Sequence, residues 1–268
     1  MKKLENITLK DVQEAYSGPE GLLWELIMGE QIHAGGFKSS MTLAQKAGIK
    51  AGMKGLDLGS ALGAGCRFLV KNFGVTMTGL DGTPRMLNWA KERAAAEGLA
   101  DKIEFHLQDV TEKYPFADGT FDFVWGEDTW CYLVDKGVLI AEAARVLKPG
   151  GIIAFTDWIE GPAGLTDEEA ERINTFMKFP YMENQKGYEK LLAENGFTVT
   201  ESTDLTPEFA EYVDFYIKML TDQFTYDALK IIGDDMELFQ AMGGEMAFMA
   251  EKAHEGKMGK GRFIARKH

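Results

Sequence analysis

The segment Leu56-Asp57-Leu58-Gly59-Ser60-Ala61-Leu62-Gly63 constrains this chain most. It runs from a buried β-like stretch, residues 55–59, into a helix over about residues 63–73 that Gly74 closes. A strand, a Gly-rich turn and a helix in that order belong to a doubly wound sheet, in which ligands sit at the carboxyl edge and the backbone approaches them closely. The same alternation continues. Strands are expected at residues 76–81, 103–109, 121–125, 151–158, 197–203 and 261–267. Between them, Thr83 and Pro84 read as the start of a helix that stops at Gly98. Asp135 reads as the cap of another, ended by Lys148-Pro149-Gly150-Gly151. Alternating strands and helices predict an α/β fold: a seven-stranded, mostly parallel sheet with helices on both faces.

Strand ends carry acids. Asp81 closes the second strand, where a carboxylate can accept hydrogen bonds from both hydroxyls of a ribose. Asp109 closes the third, placed for an adenine amino group, and Glu127 and Asp128 follow the fourth. A tight turn or a capping role explains any one of these singly; three strand ends in register point to a nucleoside-like ligand. Trp130, Tyr132 and Trp158 stand near the same edge, where side chains at strand ends face ligand rather than core. Ordinary core packing is the alternative for each of them.

Outside the sheet, residues 1–50 read as two helical segments around a Gly-rich joint at residues 29–36. Residues 159–183 form a polar, helix-rich insertion. A helical segment over 206–258 includes apolar Phe209, Val213, Tyr216 and Leu220 at helical spacing. The expected organisation is an N-terminal helical lid (1–50) over a ligand-binding domain (51–268).

Composition narrows the partners. The 268 residues include 42 acidic against 29 basic side chains, a net charge of −13. Such a surface repels phosphate backbones and anionic lipid, so neither nucleic acid nor membrane is an expected partner. The start of the chain lacks an apolar signal-peptide core, no run reaches a membrane span, and a cytoplasmic protein is expected. Cys66 and Cys131 are too few for a disulfide framework, and His33, His106, His254 and His268 are too scattered for a metal site.

From about residue 10 to residue 268 the chain resembles the class I methyltransferases that use S-adenosylmethionine (SAM). The resemblance rests on LDLGSALGAG, GLDGTPRML, LQDVTEKYPFADGTFDFVWGED, ARVLKPGG and a final GRFIARK. Within that class it is similar to small-amine N-methyltransferases, both the sarcosine/dimethylglycine and the phosphoethanolamine enzymes. Tyr16, Trp24 and Gly29-Glu30-Gln31-Ile32-His33-Ala34-Gly35-Gly36 carry this likeness. The resemblance implies a Rossmann-like methyltransferase sheet with a lid that closes over bound SAM, S-adenosylhomocysteine (SAH) as product, and no metal. It implies cofactor contacts at Gly59, Ser60, Gly63, Asp81, Gly82, Asp109, Val110 and Glu127. It implies catalytic roles for Tyr16, His33 and Tyr132, and substrate contacts at Trp24, Trp130, Trp158, Lys178 and Tyr181. Two departures stand out: Ala61 where the family usually has its second glycine, and Tyr132 where the phosphoethanolamine branch has a histidine. The implied activity is N-methylation of a small amine, sarcosine or dimethylglycine toward glycine betaine. A phosphoethanolamine or natural-product methyltransferase is the alternative, and a SAM-binding protein without transferase activity is the alternative of another class. The oligomeric state, monomer or homodimer, stays open.

Overall fold

Leu56 and Leu58 on strand β1 (Lys54–Leu58) have no exposed surface, the mark of a strand covered on both faces. The computed structural model describes residues 3–268 and builds outward from that strand. Three helices precede it: α1 (Leu9–Ser17), α2 (Pro19–Met28) and α3 (Gly36–Ala47). Two were expected; Gly18-Pro19 ends one helix and starts the next, because proline fits a first helical position but not an interior one.

After β1 come α4 (Ala64–Phe73), β2 (Thr76–Asp81), α5 (Pro84–Ala96), β3 (Ile103–Leu107) and β4 (Phe121–Glu127). A short 3₁₀ turn (Trp130–Tyr132) leads to α6 (Lys136–Val146), where the Asp135 side chain accepts the Val138 N–H as its cap. Then follow β5 (Leu147–Glu160), α7 (Asp167–Met177), β6 (Glu183–Asn184), α8 (Gln185–Glu194) and β7 (Phe197–Asp204). The chain ends with α9 (Thr206–Lys218), a π turn (Met219–Gln223), α10 (Thr225–Ile231), α11 (Met236–His254) and β8 (Met258–Lys267).

The sheet order is β3-β2-β1-β4-β5-β8-β7, with β6 pairing beside β5. All pairings are parallel except those of β8, which runs antiparallel between β5 and β7. The eighth strand is the two-residue β6. β5 also starts earlier than expected, at Leu147, which pairs with Phe121; the register shifts over residues 148–151 and pairing with β4 resumes at Ile152 opposite Phe123. β3 ends at Leu107, so Asp109 lies on the loop beyond it.

Both sheet faces are covered. Leu139, Ile140, Tyr188 and Leu192 from α6 and α8 pack on one. Leu43, Leu69, Leu87 and Ala90 from α3, α4 and α5 pack on the other. By its packing α3 therefore goes with the sheet, unlike α2, which joins a separate cluster. A third apolar cluster, drawing Leu23 and Ile27 from α2, Ile173 from α7, Phe209 from α9 and Met249 from α11, sits around Trp158 at the end of β5. Between that cluster and the sheet edge lies the candidate site. No helix among the described residues is long and apolar enough to cross a membrane.

Candidate active site

Gly59 leaves β1 with φ of +85°, and a Cβ there would sit 2.0 Å from Thr129 Cγ2, so only glycine lets the two loops meet. The Gly59 and Ser60 N–H groups donate to the Leu80 carbonyl, which fastens the turn to β2. Asp81, at the end of β2, accepts the Ala61 N–H on one carboxylate oxygen and the Thr83 N–H on the other, both at 2.8 Å. The turn and the acid thus define each other. Ala61 itself takes φ of +43°, the left-handed region where a glycine is usual. Burial raises the Asp81 carboxyl pKa against the pull of the Thr83 and Ala61 N–H bonds.

These groups wall a cavity of about 300 Å³ at the carboxyl edge of the sheet. Ser60, Asp81, Gly82, Asp109, Val110 and Glu127 line it, as do His33, Tyr16 and Tyr132. Asp109 accepts both the N–H and the hydroxyl of Thr111, which fixes its loop. Gly63 does not line the cavity: its N–H closes the turn on Ser60 O at 2.7 Å, and a Cβ there would strike Phe105. Its role is to shape the loop and start α4.

Sequence reasoning passed over Asp57. It stands one residue before the end of β1, lines the same cavity, and accepts the Cys66 thiol at 3.3 Å. Burial lifts its carboxyl pKa to about 7. The signal was present: an acid inside an otherwise apolar buried strand needs a reason to be there.

Glu127 is held from three sides. Ser40 Oγ donates to it at 2.9 Å, Trp125 Nε1 donates at 3.1 Å, and His33 Nε2 stands 3.4 Å away. Burial raises its pKa, opposed by the charges of His33 and Lys260. His33 is engaged at both ring nitrogens, Nε2 with Ser40 Oγ at 3.2 Å and Nδ1 with Ala34 O at 3.3 Å. Asp128, in left-handed backbone with φ of +54°, pairs with buried Lys260 at 3.0 Å and accepts the Ala34 N–H. Lys260 Nζ also donates to Ala34 O at 2.6 Å.

Tyr16 from α1 and Tyr132 from the 3₁₀ turn share a hydroxyl–hydroxyl hydrogen bond of 2.7 Å. Burial pushes both phenol pKa values well up, so both stay neutral. Beyond this pair lies a second, smaller chamber of about 20 Å³, walled by Trp24, Met28, Trp158 and Met177 with Tyr16, His33, Asp128 and Tyr132.

Three expected substrate contacts are elsewhere. Trp130 is fully buried and stacks on Phe155 with ring centroids 3.8 Å apart. Asp157 holds the Cys131 N–H at 3.1 Å; the resulting turn sends Trp130 into the core and Tyr132 toward the cavity. Tyr181 is occupied by the protein's own cation: Lys136 Nζ lies 3.5 Å from its ring centroid. Lys178 ends α7 in left-handed backbone, and its ammonium turns back to the Thr175 carbonyl at 3.3 Å. None of the three lines the cavity or the chamber.

The parallel sheet with its one antiparallel strand, and a cavity over the carboxyl ends of β1, β2 and β4, define a class I SAM-dependent methyltransferase fold. Residues 56–155 match the model of a methyltransferase domain. Over 97% of its length the chain is 28% identical to phosphoethanolamine N-methyltransferase 1 of Arabidopsis thaliana, covering 51% of that protein. The chain thus spans about half the length of the curated relatives it matches. Among solved structures it superposes with a TM-score of 0.84 on one provisionally named a sarcosine dimethylglycine methyltransferase, from Galdieria sulphuraria. That pair is 24% identical, covering 93% of this chain and 97% of the other. With phosphoethanolamine N-methyltransferase 2 of Haemonchus contortus, solved with phosphomonomethylethanolamine and SAH, the TM-score is 0.87 at 23% identity, over 97% of this chain and 60% of that one.

Proposed function

We propose that this chain is a SAM-dependent N-methyltransferase acting on a small amine. One observation carries the reading: a cavity lined by acids at the ends of β1, β2 and β4 adjoins an aromatic chamber, with Tyr16 and Tyr132 shared between them. The residues fit SAM. Asp81 faces the cavity with lone pairs left for ribose hydroxyls, and Asp109 and Val110 supply the adenine end. Ser60 Oγ and Gln31 Oε1 are buried on the cavity wall without a partner, the mark of a site that awaits a polar ligand. A Cβ on Gly65 would project among Asp57 and Glu127, so glycine keeps that corner free for an ammonium group.

When bound, SAM supplies a methyl group on a sulfonium sulfur, a good leaving group that departs as a neutral thioether. Alignment is then the protein's main task, and holding an amine nitrogen in line is worth roughly 7–11 kcal/mol. Trp24 and Trp158 flank the amine, and Tyr16 and Tyr132 orient it from the cavity side. The packed cluster around Trp158 excludes water. His33, tied at both nitrogens, positions Glu127 and Ser40 and is poorly placed to accept a proton. A tertiary amine has none to lose, and a secondary amine releases its proton to solvent after transfer.

Sarcosine and dimethylglycine are the proposed acceptors ahead of phosphoethanolamine. Among the described residues no Lys or Arg lines the chamber, and Lys260, which reaches the lining Asp128, is spent on Asp128 and Ala34 O, a poor setting for a phosphate dianion. The test is kcat/KM for the three amines. The expected order puts dimethylglycine or sarcosine first; faster turnover of phosphoethanolamine would overturn the substrate assignment.

A further inference from the structure

Seven carboxylates line the main cavity, and among the described residues no Lys or Arg does. Most of these acids have strong partners. Asp81 takes two N–H groups at 2.8 Å, Asp109 takes the N–H and hydroxyl of Thr111, and Asp128 faces Lys260 at 3.0 Å. Glu127 has Ser40, Trp125 and His33. Asp57 has far less. Among the described residues its one hydrogen-bond donor is the Cys66 thiol, a weak one. β2 brings it Asp81 and β4 brings Glu127, both acids. Arg67, beside Cys66 on α4, is turned away to Leu62 O, Glu97 and Glu30. His33, between α2 and α3, sits against Glu127. A carboxyl group that is 4% exposed and lacks a cation holds a proton more readily than a charge.

The space beside it suits a group rich in donors. The point where a Gly65 Cβ would stand lies 3.4 Å from Asp57 Oδ2 and 3.7 Å from Glu127 Oε2. Gln31 Oε1, buried on the same cavity wall and without a partner, can only accept. We propose that the empty cavity keeps a proton on Asp57 and that the ammonium group of SAM or SAH displaces it, so that cofactor binding releases a proton to solvent. The inference rests on the cofactor reading of the cavity. It makes cofactor affinity rise with pH up to the value, about 7, to which burial lifts the Asp57 carboxyl.

The experiment is calorimetric titration with SAH at pH 6 and pH 8, each in two buffers of different ionisation enthalpy, which counts the protons exchanged. For an acid that titrates near 7, about 0.9 proton should leave per SAH at pH 6 and about 0.1 at pH 8, with affinity about tenfold weaker at pH 6. Asp57→Asn, neutral at both pH values, should lose the release and bind SAH equally at both. Cys66→Ser puts a stronger donor on Asp57 and should reduce the release at pH 6. No release from the unmodified protein at pH 6 overturns the proposal. Equal release from Asp57→Asn also overturns it, by assigning the proton to His33 or Glu127. Should the Asn variant not fold, an undiminished release in Cys66→Ser overturns it instead. SAH that binds with no pH dependence sinks the proton exchange alone, whereas SAH that binds at neither pH sinks the cofactor reading with it.

Discussion

Ala61 carries a methyl group where the backbone turns left-handed, at φ of +43°. That conformation costs a residue with a Cβ about 1–2 kcal/mol, and glycine gives back roughly 0.4–1 kcal/mol of it through the unfolded chain. Ala61→Gly should therefore raise stability by about 0.5–1 kcal/mol in denaturant titration, with SAM affinity unchanged. Asp81 supports the same turn through the Ala61 and Thr83 N–H groups and faces the cavity. Asp81→Ala should weaken SAM at least tenfold, since charge-assisted bonds are each worth about 1.5–3 kcal/mol; an unchanged dissociation constant removes Asp81 from the site. Asp57 gives a pH signature. Its folded pKa, about 7, lies above the unfolded value near 3.9, so the folded state binds the extra proton between those values. Stability then falls as pH rises from about 4 to 7. Asp57→Asn should flatten that part of a melting-temperature profile measured without ligand. Asp81 was legible in the sequence because it ends a strand after a Gly-rich turn. Asp57 was not, because it sits inside the strand that the motif itself defines.

The 3₁₀ turn decides which aromatic side chains face the chemistry. Their place just after the fourth strand put Trp130 and Tyr132 together at the sheet edge, and a strand continued past Glu127 would have kept them on one face. The left-handed Asp128 and the Asp157 bond to the Cys131 N–H break that alternation, so Trp130 joins the core. Side chains distant in sequence impose this turn, and no local spacing reports them. Lys136 and Asp157 beneath it are themselves buried, their pKa values drawn by burial to about 8 and about 7. Tyr132 meets Tyr16 of α1, a contact between two elements that local pattern reads separately. A neutral hydrogen bond is worth about 0.5–1.5 kcal/mol. Tyr132→Phe should lower kcat about two- to tenfold with SAM affinity within twofold of the original; a full rate would show that the pair has no part in turnover.

Across the whole molecule, Lys260 ties three distant parts of the chain. It stands on β8, pairs with Asp128 beyond β4 and donates to Ala34 between α2 and α3. Removing one partner of a buried ion pair costs about 3–5 kcal/mol. Lys260→Met should lower the melting temperature accordingly, and a loss under 1 kcal/mol would mean that the pair contributes little. The order of strands and helices was readable from alternation alone, and so were the strand ends that line the cavity. The pairing of Lys260 with Asp128 was not, because it depends on how β8 inserts between β5 and β7. Nor was the chamber, which exists only where α2 and α7 close over Trp158. The central claim is that a methyl group crosses from the cavity to an amine in that chamber. Its most direct test is a single-turnover reaction with methyl-labelled SAM, enzyme in excess, and dimethylglycine or sarcosine as acceptor. The account predicts label on the amine nitrogen in a one-to-one ratio with the SAH formed. SAM that binds and stays intact in the presence of every amine tried, or label that goes to oxygen of a phenol instead, would contradict it.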